Sequence, residues 1–187
     1  MGSQNLEGLR HQIRHIQQEA ADLTAGLTEE QFNWRPSPGQ WSIEECLAHL
    51  TIVGQWEIRA IEEAIDDGRT RGMTGTEPFR YGAIDQLVVD LTAATGPDGK
   101  PRQRFPAPRR FVPAHGQPLT AVLPTFQHLQ RQFQIQMERA EGLDLARVKV
   151  KTPLSRFLRM SLGMMFAQAV AHEERHLAQA RRVRERI

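Results

Sequence analysis

The sequence predicts an all-α fold in which four long amphipathic helices form a four-helix bundle. Apolar residues recur at helical spacing in four separate stretches. Residues that cap or break helices stand between these stretches, and one connection, from about residue 68 to residue 117, is much longer than the others. We therefore expect a single domain over residues 1–187, with a long irregular connection between the second and third helices.

The first helix is predicted from about residue 5 to residue 26. Two of its polar residues, His11 and His15, lie four residues apart but fall on the side away from the apolar seam, so we expect them at the surface. The apolar positions alternate spacings of three and four, as in a helix packed in a bundle, and they are Leu6, Leu9, Ile13, Ile16, Ala20, Leu23 and Leu27.

The second long helix is predicted to begin at Ser42. A serine followed by Glu45 three residues later is a capping box, in which each side chain bonds the other residue's backbone N–H. The apolar pattern continues to about residue 66, and Asp67 and Gly68 are expected to end the helix.

The remaining helices follow the long connection. Gly, Pro and Arg crowd residues 68–117, where only AIDQLVVDLTAAT looks regular, as a short helix or a strand. The third helix is predicted over about Leu119–Ala140, with Pro124 near its first turn, where proline is tolerated. After a linker that contains KVKTP, the fourth helix is predicted over about Ser161–Arg184.

Composition excludes several classes of protein. Cys46 is the only cysteine, which excludes a disulfide framework and a cysteine zinc cluster within one chain. No apolar run approaches the roughly 18 residues of a membrane span, and the first residues do not resemble a signal peptide. The acidic first half and the basic second half could suit acidic partners, but we interpret them as solvated faces that pair across the fold. We expect a cytoplasmic protein with no membrane and no nucleic-acid partner.

Two histidines of the fourth helix, His172 and His176, are candidate metal ligands. Their spacing of four residues places both rings on one face of a helix, so one ion can bind both. That face borders the apolar side of the helix, and His49 borders the apolar side of the second helix in the same way. A pair alone is more often two hydrogen-bonded core residues; the third histidine favours a metal site. His115 and His128 are not predicted ligands.

The segment HEERH also contains HExxH, the signature of zinc peptidases, in which the glutamate activates water. Those enzymes need a third ligand downstream, and only eleven residues follow His176, with Arg182 where such a histidine would fall. We therefore do not predict a peptidase. Glu173 still lies within the apolar arc, where a carboxylate needs a partner. It could orient a ligand histidine, serve as a base, or pair with an arginine of another helix.

Two motifs carry a resemblance to a known family. NWRPSPGQWSIEECLAHL, followed much later by AHEERHLAQARRV, resembles the DinB/YfiT-like family of metal-dependent enzymes, and the similarity covers most of the chain. The resemblance implies a four-helix bundle in which His49, His172 and His176 bind one divalent metal. Characterised members of the family include thiol S-transferases that use bacillithiol, mycothiol or similar cofactors, and an isomerase that depends on mycothiol.

The predicted function is therefore metal-dependent activation of a low-molecular-weight thiol, as in an S-transferase, or of water, as in a hydrolase. Zinc or nickel is the expected ion, with manganese and iron as alternatives, and we expect a small-molecule substrate and a homodimer. The alternative is a non-catalytic metal-binding or stress-response module that dimerises. The long connection offers an anionic cofactor four candidate contacts, which could equally be a solvated basic loop: Arg102, Arg104, Arg109 and Arg110.

Overall fold

The computed structural model describes residues 5–79, 81–82, 87, 107–152 and 159–187. Helices dominate this part of the chain, and the predicted all-α class is confirmed. The helices are α1 (Leu6–Thr24), α2 (Glu29–Asn33), α3 (Ile43–Thr70), α4 (Leu119–Arg139) and α5 (Leu162–Arg184), with a 3₁₀ turn over Arg109–Phe111. Two short strands, β1 (Lys149–Lys151) and β2 (Arg159–Ser161), pair antiparallel.

The four long helices pack in a ring, because α1 and α3 each contact both α4 and α5. At the end of α4, Arg139 forms an ion pair with Asp66 near the end of α3, so these two helices run parallel. The N–H of Leu162, at the start of α5, donates to the carbonyl of Val148, which lies against Gly68 near the end of α3. α5 is therefore antiparallel to α3. α4 therefore begins at the end of the bundle at which α3 also begins.

The apolar seam predicted for α1 is confirmed. None of its seven residues exposes more than 9% of its surface. Asn5 begins the helix, since its side chain accepts a hydrogen bond from the N–H of Gly8 at 2.8 Å. His11 and His15 are exposed, as their position away from the seam predicts.

The capping box at the start of α3 is present. The Ser42 hydroxyl accepts from the N–H of Glu45 at 3.1 Å, and the Glu45 carboxylate accepts from the N–H of Ser42 at 3.0 Å. Arg35 forms an ion pair with the same carboxylate, which joins the turn before α3 to its first helical turn. These contacts hold the beginning of the helix that carries His49.

The predicted end of α3 is wrong, because the helix continues through Gly68 to Thr70. A Cβ at residue 68 would lie 2.8 Å from Cγ2 of Val148, so the glycine serves close packing rather than termination. The residue that leaves the helical conformation is Gly72, with a φ of +62° that favours glycine. Sequence alone does not separate these two uses of glycine.

The second half of the bundle contains one element that the sequence did not indicate. The KVKTP segment, interpreted as a linker, contains β1, and Val150 of β1 pairs with Met160 of β2. Both of these side chains are buried. The last two helices agree closely with the sequence, since α4 and α5 begin and end within one residue of their predicted limits. AIDQLVVDLTAAT lies outside the described residues, apart from Leu87. None of the described helices is long and apolar enough to cross a membrane.

Candidate metal centre

Three histidines from two helices meet near the end of the bundle at which α3 begins. His49 lies in the second turn of α3, and His172 and His176 lie on one face of α5. The three ring centroids are 4.7 to 5.3 Å apart. One ligand nitrogen from each ring lies within 4.8 Å of the other two, and no other such group of His, Cys, Asp or Glu occurs in the described part of the chain.

The shortest of these approaches has the dimensions of a metal site. Nε2 of His49 lies 3.4 Å from Nε2 of His172. Two nitrogens bound to one tetrahedral zinc ion at about 2.0–2.1 Å stand about 3.3–3.4 Å apart. This pair could therefore bind one ion with little rearrangement.

The ring of His49 is oriented by the backbone. Its Nδ1 lies 2.7 Å from the carbonyl oxygen of Phe111, in the 3₁₀ turn that precedes α4. Because a carbonyl oxygen can only accept, Nδ1 carries the hydrogen and Nε2 has a free lone pair, which faces His172. Support of one ring nitrogen by a carbonyl is the usual arrangement for a histidine that binds metal through the other.

The environment keeps all three imidazoles neutral. Burial lowers the pKa of His49, and it lowers the pKa of His172 to about 3, with smaller contributions from the charges of His49 and Arg175. Burial and the neighbouring histidines lower the pKa of His176 well below its ordinary value. Neutral imidazole is the form that binds metal. Nδ1 of His176 is also buried without a hydrogen-bond partner in the described structure, so the cluster contains a nitrogen that a ligand could satisfy.

An aromatic residue forms one wall of the cluster. The indole of Trp41 lies 4.7 Å from the ring centroid of His49 and stacks on His176 at 5.6 Å, with 28° between the ring planes. Trp41 was not among the site residues predicted from the sequence. The available signal was the position of Trp41 immediately before Ser42, at the start of the helix that carries His49.

The structure describes two of the four candidate arginines. Arg109 and Arg110 are exposed in the turn whose carbonyl supports His49, and the guanidinium of Arg110 lies 4.8 Å from the ring centroid of Phe111. The turn contacts the histidine cluster through its backbone, by way of the Phe111 carbonyl. Arg102 and Arg104 lie outside the described residues.

Glu173 points into the bundle. It is 3% exposed, and its Oε1 accepts a hydrogen bond from Nε2 of Gln130 on α4 at 3.0 Å. The partner is thus an amide, where the sequence suggested an arginine among other roles. Burial raises the pKa of Glu173 to about 8. Burial and the charge of Glu173 raise the pKa of Glu57, on α3, to about 8 as well. These carboxyls form a buried polar region of the core.

The other histidines do not join the cluster. His128 is exposed on α4 beside Gln132, and Nδ1 of His115 lies 3.6 Å from the Glu45 carboxylate. His11 and His15, which share the spacing of the site pair, face away from the core of α1. The structure therefore brings together the three histidines selected from the sequence and leaves the other four apart.

Comparison with known proteins identifies the family of this chain. The family model of the DinB superfamily matches residues 12–180, a range that contains Trp41 and the three clustered histidines. No curated protein and no solved structure matches the chain at a significant level. The resemblance found in the two sequence motifs is confirmed. Since the match extends over most of its length, the chain belongs to the DinB superfamily.

Proposed function

We propose that this protein binds one divalent first-row metal ion through His49, His172 and His176 and uses it to activate a low-molecular-weight thiol or water. The observation that carries the proposal is the convergence of three neutral imidazoles within 4.8 Å of one another. Three nitrogen ligands leave a coordination position open, as catalytic zinc sites do. When bound, the ion would lower the pKa of a thiol or water and so supply a nucleophile near neutral pH.

The donor set favours particular ions. Among the described residues, the cluster contains imidazole nitrogens and no carboxylate or thiolate. Imidazole ligands suit zinc and nickel, whereas magnesium, calcium and manganese prefer oxygen ligands. The unpartnered Nδ1 of His176 and the 3.4 Å approach of His49 to His172 fit occupancy by such an ion.

The surrounding residues would orient the ligands and shape access. Phe111 orients His49 through its carbonyl oxygen, and Trp41 provides an apolar wall beside His49 and His176. Arg109 and the following arginine supply positive charge near this region, which supports an anionic thiol as the substrate.

Metal content provides the first test. Protein purified without an affinity tag would be incubated with zinc, nickel or manganese, freed of excess metal and examined by elemental analysis. We expect about one equivalent in the wild type and a large loss in His49→Ala and His172→Ala. The matched control is the double replacement of His11 and His15 by alanine, which removes an exposed pair with the same spacing and should retain full binding.

The competing arrangement is a metal-free cluster. Two neutral imidazoles can share a hydrogen bond at 3.4 Å, and the three histidines would then be polar core residues. A metal content that stays far below one equivalent after all three incubations would contradict the proposed site and favour this arrangement.

Activity would distinguish the two nucleophiles. Metal-loaded protein would be assayed with glutathione, bacillithiol and mycothiol against a chlorinated aromatic electrophile, and separately with activated esters and no thiol. Thiol-dependent turnover that disappears in His49→Ala supports transfer, while ester hydrolysis alone supports water as the nucleophile. Tight metal binding without either activity would leave a binding module.

A further inference from the structure

A short segment, residues 107–118, contacts the first turns of α3 at two places. We call it the strap. At one contact, the carbonyl of Phe111 accepts from Nδ1 of His49. At the other, Gly116 and Gln117 donate hydrogen bonds to the side chain of Glu44, five residues before His49. The strap thus links Glu44 to a proposed metal ligand.

Glu44 is unusually buried for a carboxylate. It lies in the first turn of α3 and is 0% exposed, although an ionised carboxylate is costly to bury without partners. Oε1 accepts from Nε2 of Gln117 at 2.9 Å, and Oε2 accepts from the N–H of Gly116 at 3.3 Å. Burial raises the pKa of Glu44 to about 7, and these two hydrogen bonds oppose that rise. The strap therefore supplies the contacts that partly compensate the buried carboxylate.

Capping of α3 does not explain why the Glu44 carboxylate is buried. The capping box uses the next residue, Glu45, whose carboxylate also pairs with Arg35. The hydrogen bonds of Glu44 go instead to residues more than 70 positions later in the chain. A carboxylate at the start of a helix is favoured by the helix dipole, but that preference does not require burial.

The far end of the strap is fastened separately. Both carboxylate oxygens of Glu29 accept from the N–H of Leu119, the first residue of α4, at 3.0 and 3.1 Å. Gln117 itself folds back to donate to the carbonyl of Ala114 at 3.0 Å. Loss of the Glu44 contact would therefore loosen the middle of the strap, although Asn33 would still donate to the carbonyl of Gln117 and His115 would still lie against Glu45. The Phe111 carbonyl would then be held less firmly against His49.

We propose that Glu44 is a positioning residue of the metal centre, which anchors the strap so that the Phe111 carbonyl holds the ring of His49 in its ligating orientation. This inference rests on the proposed function, because it assigns Glu44 a role in metal binding. It goes further by identifying a residue that lies outside the histidine cluster and acts on it through the backbone.

The expected effect is a loss of metal affinity with the ligands intact. Mutation of groups that orient a metal-binding histidine typically weakens binding about 10–100-fold. Glu44 acts one step further away, and Phe111 and Pro113 of the strap are themselves buried. We therefore expect Glu44→Ala to weaken zinc binding about tenfold, at the lower end of that range.

The test compares two variants that break the same contact from opposite sides. Glu44→Ala removes the acceptor and Gln117→Ala removes one donor, and zinc affinity would be measured in the full chain by competition with a chromophoric chelator. The absorption spectrum of the cobalt-substituted protein would report ligand geometry directly. Both variants should bind zinc more weakly and shift the cobalt spectrum, and the double variant should be little worse than Glu44→Ala. Glu44→Gln, which retains an acceptor for Gln117, should recover part of the affinity.

Glu63→Ala is the matched control, because Glu63 is an exposed acid on the same helix, paired with Lys151 far from the strap. It should leave both the affinity and the spectrum unchanged. If Glu44→Ala does not fold, the partly exposed Gln117 decides the question. Wild-type affinity and an unchanged cobalt spectrum in the strap variants would overturn the role of Glu44 while leaving the metal site standing. Failure of the wild type to bind metal would instead overturn the proposed function.

Discussion

The indole ring of Trp41 lies against the imidazole of His49, with 4.7 Å between the ring centroids. The same indole stacks on His176, so one tryptophan contacts a proposed ligand from each of the two helices that form the site. The other tryptophans lie elsewhere: Trp34 beside Arg186, and Trp56 against the hydrophobic core. Trp41 therefore provides an intrinsic optical reporter of the histidine cluster.

Binding of nickel or cobalt should quench the fluorescence of Trp41, since these ions have partly filled d shells and would lie within a few ångströms of the indole. A titration should saturate at about one equivalent of metal. Trp41→Phe should lose most of the quenching, whereas Trp56→Phe should retain it. Equal quenching in the two variants would indicate that the metal binds away from the three histidines.

Glu57 should make the stability of the protein depend on pH. It is 2% exposed, and its Oε1 has no hydrogen-bond partner within the described structure. Burial raises its pKa to about 8 from an ordinary value of 4.5, so the folded chain holds the proton more tightly than the unfolded chain does. The free energy of unfolding should consequently fall as the pH rises from about 4.5 to about 8.

Glutamine cannot ionise, so Glu57→Gln should abolish the fall in the free energy of unfolding that Glu57 causes. We expect the variant to be more stable than the wild type by roughly 1–3 kcal/mol at pH 9, with the difference shrinking towards pH 5. Urea unfolding of chelator-treated protein at several pH values would measure it. Glu63→Gln, at an exposed position, should show no comparable pH dependence. Parallel pH curves for wild type and Glu57→Gln would contradict the prediction.

Much of this architecture can be predicted from local sequence patterns. The apolar seam of α1 and the capping box of Ser42 and Glu45 depend on neighbours within a few residues, so both are predictable from sequence. The same holds for the face shared by His172 and His176. His49 could be selected because it borders the apolar side of its own helix.

Other features depend on contacts between distant segments and could not be predicted. The Phe111 carbonyl supports His49 across 62 residues, and no side-chain pattern marks a backbone acceptor. Strands of three residues are too short to show an alternating pattern, so the β1–β2 hairpin was missed. Gly68 looked like a helix terminator because its actual constraint, the proximity of Val148, lies 80 residues away in the sequence.

Gly54 should be intolerant of a side chain, because α3 and α4 approach closely there. A Cβ at residue 54 would overlap Cδ2 of Leu129, which is 3% exposed in the core. Gly54→Ala gains up to about 1 kcal/mol of helix propensity, but overpacking costs about 1–3 kcal/mol, so we expect net destabilisation. Leu129→Ala alone should cost about 2–5 kcal/mol.

The double variant tests the cause of that destabilisation. In Gly54→Ala with Leu129→Ala, the new methyl group would occupy part of the space that the leucine vacates. The double variant should therefore be clearly more stable than the sum of the two single effects implies, as urea unfolding would measure. Simple additivity would show that the two residues do not compete for the same space.

Arg109 and Arg110 should contribute to recognition of anionic thiols if the protein is a thiol transferase. Both are exposed in the turn that supports His49, so each contact with a carboxylate would be partly screened by water. Replacing both by alanine should raise the KM for glutathione roughly two- to tenfold, leave kcat nearly unchanged, and have little effect on a neutral thiol such as 2-mercaptoethanol.

Ionic strength separates this effect from a general loss of structure. For the wild type, the KM for glutathione should rise with added salt, because exposed charges are screened, and that dependence should weaken in the double variant. The matched control replaces Arg71 and Arg147, two exposed arginines at the opposite end of α3, and should keep the wild-type KM and its salt dependence. If the strap arginines and the control pair behave alike, recognition of the anion lies elsewhere, and the basic turn is a solvated surface.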